Sequence, residues 1–226
     1  MKKFQILYLL IAIIAVSCST KSGGELTNLE ASIEVKIDSL LDLMTLEEKI
    51  GQLNQYSVGA ELTGPGAKSD YEQKRLSLLQ SGQVGSVLNL LGAAETRKMQ
   101  EMVVNNSRLG IPLLFSYDVV HGYKTIFPIP LGESASWDLD AIKLSAEVAA
   151  KETAAAGIHW TFAPMVDISR DARWGRVMEG AGEDPYLGAE IAKARVHGFQ
   201  GDDLSATTTI AATAKHFAGY GFVESG

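Results

Sequence analysis

Ile111-Pro112-Leu113-Leu114-Phe115-Ser116-Tyr117-Asp118-Val119-Val120-His121-Gly122 is a short apolar run that ends on a carboxylate and breaks at a glycine. It lacks the alternation of a half-exposed strand, which predicts a strand covered on both faces, as in a parallel sheet. Pro112 has no N–H to give a ladder and fits only near the strand's start. The same plan recurs along the chain. Residues 83–88, 158–162 and 208–214 read as further strands, the last delivering Lys215-His216. Helical segments lie between them. One runs from about Ala93 to Ser107 and stops at Gly110, and another from Asp138 to Ala156 closes at Gly157. A third opens on the cap-and-first-turn pair Asp184-Pro185 and runs to about Phe199. Nearer the start, Thr45-Leu46-Glu47-Glu48 has the form of a capping box, with Glu48 at its third helical position.

Strands alternating with helices, with polar groups just past the strand ends, predict an α/β fold: the first part of a TIM-like (β/α)8 barrel. A doubly wound sheet also fits the alternation, but it carries a glycine-rich phosphate turn after its first strand, and Gly85-Ser86-Val87 does not supply one. A complete barrel takes about 250 residues, and only about four strand–helix units are legible. The expectation is therefore an incomplete barrel, the front part of a longer protein.

Composition narrows the function. The 226 residues carry 20 Lys and Arg against 27 Asp and Glu, a net charge of −7, which disfavours nucleic acid as the main partner. One Cys rules out an internal disulfide framework and a multi-Cys zinc module, and four scattered His leave little for a metal cage. Lys2 and Lys3 precede an unbroken apolar run over residues 6–16. A membrane span needs roughly 20 apolar residues, so this run reads as the core of a signal peptide, residues 1–17. Ala15-Val16-Ser17-Cys18 resembles a bacterial lipobox, which makes Cys18 a lipidation candidate. Residues 18–25 then form the lipidated terminus and tether, and 26–226 the barrel domain. The expected location is the periplasm or the outer membrane of a Gram-negative bacterium, with a lipid anchor if Cys18 is modified. A plain secretory signal with an incidental Cys is the alternative.

Three segments carry chemistry. Asp118, at a strand end, can grip sugar hydroxyls, ligate a metal or cap the next helix. The stretch Asp167-Ile168-Ser169-Arg170-Asp171-Ala172-Arg173-Trp174-Gly175-Arg176 packs three Arg, two Asp and a Trp into one loop. It is either a surface salt-bridge network or an aromatic-plus-guanidinium surface suited to a polyhydroxylated ligand. Lys215 can form a Schiff base, bind phosphate or donate to hydroxyls, and the adjacent His216 does not decide among these.

Taken in order, the motifs are more specific. Leu43-Met44-Thr45-Leu46-Glu47-Glu48-Lys49-Ile50-Gly51-Gln52 is followed by Tyr117-Asp118-Val119-Val120-His121-Gly122 and Thr125-Ile126-Phe127-Pro128. Arg173-Trp174-Gly175-Arg176, Gly182-Glu183-Asp184-Pro185-Tyr186 and Lys215-His216-Phe217 complete the series. This order resembles the N-terminal part of family-3 glycoside hydrolases of the bacterial periplasmic β-glucosidase type, over about Leu40 to Glu224. The resemblance implies retaining, exo-acting hydrolysis of terminal non-reducing β-D-glucosyl residues, with no cofactor and no metal. It implies that Asp118, Arg176, Lys215 and His216 hold the non-reducing sugar of a β-linked oligosaccharide or glucoside. Lys124 stands where many relatives carry Arg, which keeps the charge and loses the planar fork.

Retention needs two carboxylates about 5–5.5 Å apart. By the resemblance, the nucleophilic Asp sits in a Ser-Asp-Trp motif that does not occur here, and the acid/base Glu comes from a following domain; both are expected beyond residue 226. Asp167, Asp171, Glu179 and Glu183 match neither position. The 226-residue chain is therefore expected to bind sugar weakly and not to turn it over. Two further readings stay open: a glycan-binding surface lipoprotein without catalysis, and β-xylosidase or β-N-acetylglucosaminidase specificity. An aldolase-like barrel using Lys215 as a Schiff-base amine leaves the Arg173-Trp174-Gly175-Arg176 loop unexplained.

Overall fold

The computed structural model describes residues 24–58 and 69–224. The signal segment, Cys18 and most of the tether lie outside the described residues. The chain divides into two compact units, residues 1–45 and 46–226. The first contains helix α1, Gly24–Leu43. Within the second, α2 (Leu46–Gln52), β1 (Gln55–Ser57), α3 (Ser69–Gln80), β2 (Ser86–Leu88), α4 (Ala93–Asn106) and β3 (Leu114–Tyr117) come first. They are followed by α5 (Pro130–Ser134), α6 (Leu139–Ala155), β4 (Trp160–Thr161), α7 (Pro185–Gln200) and β5 (Ala211–Ala212).

Among the described residues five strands form one sheet in the order β1-β2-β3-β4-β5, every pair parallel. A doubly wound sheet reverses its strand order at a switch point. A strictly sequential order, with each crossover of the usual right hand, instead keeps the helices on one side of a sheet curling toward a barrel. The barrel reading holds, with five strands where the sequence showed four. β1 escaped because Gln55-Tyr56-Ser57 is polar, and Gln55 faces hydroxyls: its Nε2 donates to Ser86 Oγ at 3.0 Å and to Ser116 Oγ at 3.2 Å.

Two apolar clusters fix the sheet to its helices. Val87 and Phe115, register partners on β2 and β3, pack with Leu79, Val84, Val103 and Leu113. Further along, Val119, Ala163 and Ile210 meet the small-residue face Ala146, Ala149 and Ala150 of α6 and Phe199 of α7. The alanines let α6 and α7 approach closely, and Gly198 sets the limit. A Cβ there would lie 2.5 Å from the Lys143 carbonyl oxygen and 2.6 Å from the Ala146 Cβ.

The expected helix boundaries are largely present. Asp138 caps α6 by accepting from Ala141 N, and Gly157 follows the helix at φ 82°. Asp184 accepts from Tyr186 N and Leu187 N ahead of Pro185. Glu48, read as a capping-box residue, is mostly buried and receives the Arg108 guanidinium, Nε at 3.0 Å and Nη2 at 2.5 Å, from the loop after α4.

Candidate functional site

In a parallel sheet all strands end on the same edge, so residues just past those ends become neighbours whatever their distance in sequence. Asp118 leaves β3. Met165 and Lys215, beyond β4 and β5, form a parallel bridge in which Val166 N donates to the Lys215 carbonyl at 2.7 Å. The Lys215 ammonium consequently reaches back across β4 to Asp118, Nζ to Oδ1 at 2.7 Å. Lys215 is 13% exposed at its side chain and Asp118 47%, so the pair sits at a rim with the carboxylate turned outward.

His216 is held from below. Asp167, 2% exposed at its side chain, accepts with one oxygen from both the His216 backbone N at 3.0 Å and the imidazole Nδ1 at 2.8 Å. The other ring nitrogen faces Arg176 Nη1 at 3.4 Å. A carboxylate only accepts and a guanidinium only donates, so the neutral ring carries its hydrogen on Nδ1 and offers Nε2 as an acceptor. Arg176 is gripped by Glu179 in a two-pronged pair, Nε and Nη2 each 2.6 Å from a carboxylate oxygen. That hydrogen-bonded pairing holds the Glu179 carboxyl below the usual carboxylate range against the opposing effect of burial, and raises the Arg176 guanidinium.

The four residues singled out from sequence, Asp118, Arg176, Lys215 and His216, therefore stand as one chain of contacts along the carboxyl edge of the sheet. The aromatic reading of the 167–176 loop changes. Trp174 is 4% exposed and packs edge-on to Tyr220, with ring centroids 5.5 Å apart, rather than facing solvent. Arg173 turns to Asp171. Tyr220 was not anticipated: its ring lies 4.7 Å from that of His216, and the Arg176 guanidinium sits 5.3 Å from its centroid. The loop carrying it is pinned at Gly221, where a Cβ would come 2.1 Å from the Ile168 carbonyl oxygen. Asp167 and Glu179 were visible only as nearby acids. Their partners lie 49 and 3 residues away, and only the second spacing is a local signal.

The loop after Asp118 is fastened at several points. Val119 N donates to the buried Thr161 hydroxyl at 3.0 Å, and His121 Nδ1 lies 3.0 Å from the Phe127 carbonyl oxygen. Gly122, at φ 115°, makes a turn that a side chain would block. Glu152 of α6 receives Lys124 N, Thr125 N and the Thr125 hydroxyl, and these bonds, the hydroxyl's foremost, hold its carboxyl below the ordinary range. Lys124 thus contributes its backbone to this loop while its side chain is exposed. Among the described residues no group of three or more His, Cys, Asp or Glu side chains is placed to hold a metal ion.

A polar cluster at the carboxyl edge of a sequentially wound parallel sheet is the position at which (β/α)-barrel enzymes build their sites. Residues 45–226 match the family model described as "Glycosyl hydrolase family 3 N terminal domain", and the chain belongs to that family. It is 43% identical over 190 residues to the periplasmic beta-glucosidase of Salmonella typhimurium, covering 84% of this chain and 24% of that protein. A periplasmic beta-glucosidase/beta-xylosidase of Dickeya chrysanthemi is 28% identical over 210 residues, covering 83% of this chain and 32% of the other. Among solved structures, the Listeria innocua beta-glucosidase in complex with isofagomine superposes with a TM-score of 0.73 at 46% identity, over 82% of this chain and 26% of that one. Further structures of the Listeria enzyme hold glucose and laminaribiose. The chain thus spans about a quarter to a third of the length of these relatives.

Proposed function

We propose that Asp118, Lys215, His216 and Arg176 hold the terminal non-reducing sugar of a β-linked glucoside. In this reading they serve a retaining β-glucosidase whose nucleophilic Asp and acid/base Glu lie beyond residue 226. The observation that carries the reading is the continuous rim of charge from Asp118 through the Lys215–His216 pair to Arg176. It sets a carboxylate acceptor, an ammonium donor, an imidazole and the Nη1 end of a guanidinium held by Glu179 side by side, the complement of adjacent ring hydroxyls. Bonds from charged groups to hydroxyls also strengthen as the ring flattens toward an oxocarbenium-like state. Export follows the same reading: residues 1–17 direct the chain across the inner membrane, Cys18 takes the lipid, and the barrel domain works in the periplasm or on the outer membrane. The Salmonella and Dickeya relatives, named as periplasmic, support the periplasmic destination.

The test is titration of the 226-residue chain with isofagomine and with glucose, followed by NMR of the Lys215 and His216 side chains. Both ligands are expected to bind weakly and to shift those signals. Asp118→Asn is expected to weaken binding about tenfold, the worth of roughly one charge-assisted hydrogen bond. Shifts confined to residues away from this rim overturn the assignment. Release of nitrophenol from an aryl β-glucoside by the same chain overturns the placement of the catalytic carboxylates. The name of the Dickeya relative keeps β-xylosides as a second substrate class, and displacement of isofagomine by xylose as readily as by glucose decides for it.

A further inference from the structure

Behind the Asp118 loop lies an ion pair that the sugar site does not use. Arg195 of α7 and Glu133 of α5, 62 residues apart, are 4% and 6% exposed at their side chains and meet at 2.6 Å, Nη1 to Oε2. The second terminal nitrogen, Nη2, donates to the Val120 carbonyl. Arg195 Nε is buried with no hydrogen-bond partner among the described residues. Stability does not account for this arrangement. A buried pair of this kind is often no better than two apolar side chains of the same volume, and an orphaned N–H makes it worse. What an apolar pair cannot do is tie a helix carboxylate and a loop carbonyl together through one rigid fork.

The loop it ties carries Asp118. Thr161 fixes the Val119 N–H and Arg195 fixes the Val120 C=O, so each of the two residues after Asp118 is held by a side chain of another element. A cavity of about 10 Å³, lined by Val120, Arg195, Glu179 and Lys215 among others, places the clamp directly behind the rim. We propose that Arg195, braced by Glu133, is a positioning residue that fixes the Asp118 loop through the Val120 carbonyl and thereby sets the affinity for sugar. This rests on the sugar-binding reading above.

The comparison variant is Glu133→Leu with Arg195→Met, because Arg195→Met alone strands a buried carboxylate and unfolds for an unrelated reason. The double variant is expected to melt close to the parent chain. Its amides at residues 120–122 are expected to exchange with solvent about tenfold faster, and isofagomine to bind about tenfold more weakly, the loss set by roughly one charge-assisted hydrogen bond. Arg195→Lys, which keeps the charge and loses the fork, is expected to fall between. Unchanged loop exchange and affinity in a folded double variant overturn the proposal. Should the double variant not fold, the unsubstituted chain decides: a scalar coupling across the hydrogen bond from an Arg195 guanidinium nitrogen to the Val120 carbonyl carbon is expected, and its absence is fatal. If the parent chain binds no isofagomine, the functional reading fails, and loop exchange alone judges the clamp.

Discussion

Asp167 dictates which nitrogen of His216 carries the proton, and this can be measured. The perturbation is Asp167→Asn, which keeps the size of the side chain and removes its charge. In the native arrangement the Nδ1–H donates at 2.8 Å to a carboxylate that is 2% exposed. A hydrogen bond to an ionised partner contributes about 2 kcal/mol, against about 1 kcal/mol for a neutral one. The first biases the neutral ring toward the Nδ1–H tautomer by about thirtyfold, the second by only about fivefold. An asparagine keeps its carbonyl oxygen on this side, because the same position also accepts from the His216 backbone N–H, so the preference weakens without reversing. The assay is nitrogen-15 NMR of the His216 ring at alkaline pH, where pyrrole-like and pyridine-like nitrogens are well separated. The native chain is expected to show Nε2 as the pyridine-like nitrogen almost alone, and Asp167→Asn a mixture. A native ring protonated mainly on Nε2, or an unchanged ratio in the variant, would refute the argument.

Glu179, whose carboxyl Arg176 holds below its ordinary value, contributes stability that is present above about pH 4.3 and is lost as pH falls through the lower folded value. Glu179→Gln is accordingly expected to melt lower than the parent at neutral pH and to lose less on acidification, read as two Tm curves that converge below pH 4. Gly198→Ala forces a methyl group against the Lys143 carbonyl and Ala146, so α6 and α7 must part. Overpacking of this kind costs about 2 kcal/mol, or a Tm drop of roughly 6 °C in a domain of this size, and an unchanged Tm contradicts the close crossing.

Much of the site was legible because its chemistry is local. Asp118 and the Lys215–His216 pair each follow an apolar run, and the end of a run is readable wherever burial makes the run continuous. Asp184-Pro185 and Gly157 mark helix ends by backbone rules that need no tertiary information. What was missed depends on partners far along the chain. Arg195 stands on α7 like any surface basic residue, and nothing nearby announces Glu133 or the Val120 carbonyl. The loop around Trp174 read as either a salt-bridge network or a ligand surface, while the partner of the indole, Tyr220, lies beyond β5. β1 and α3 are polar enough to pass for loops. In β1 that polarity has a role, since Gln55 satisfies hydroxyls on two neighbouring strands.

The one-by-one strand order has a consequence for synthesis. Asp118 emerges from the ribosome 97 residues ahead of the lysine that meets it, with β4 and β5 to be laid down in between. A nascent chain ending before β5 has Asp118, Asp167 and Arg176 but neither the ammonium nor the imidazole they meet. The contact between Asp118 and Lys215 forms only when the fifth strand joins the sheet and brings the amine and the imidazole together.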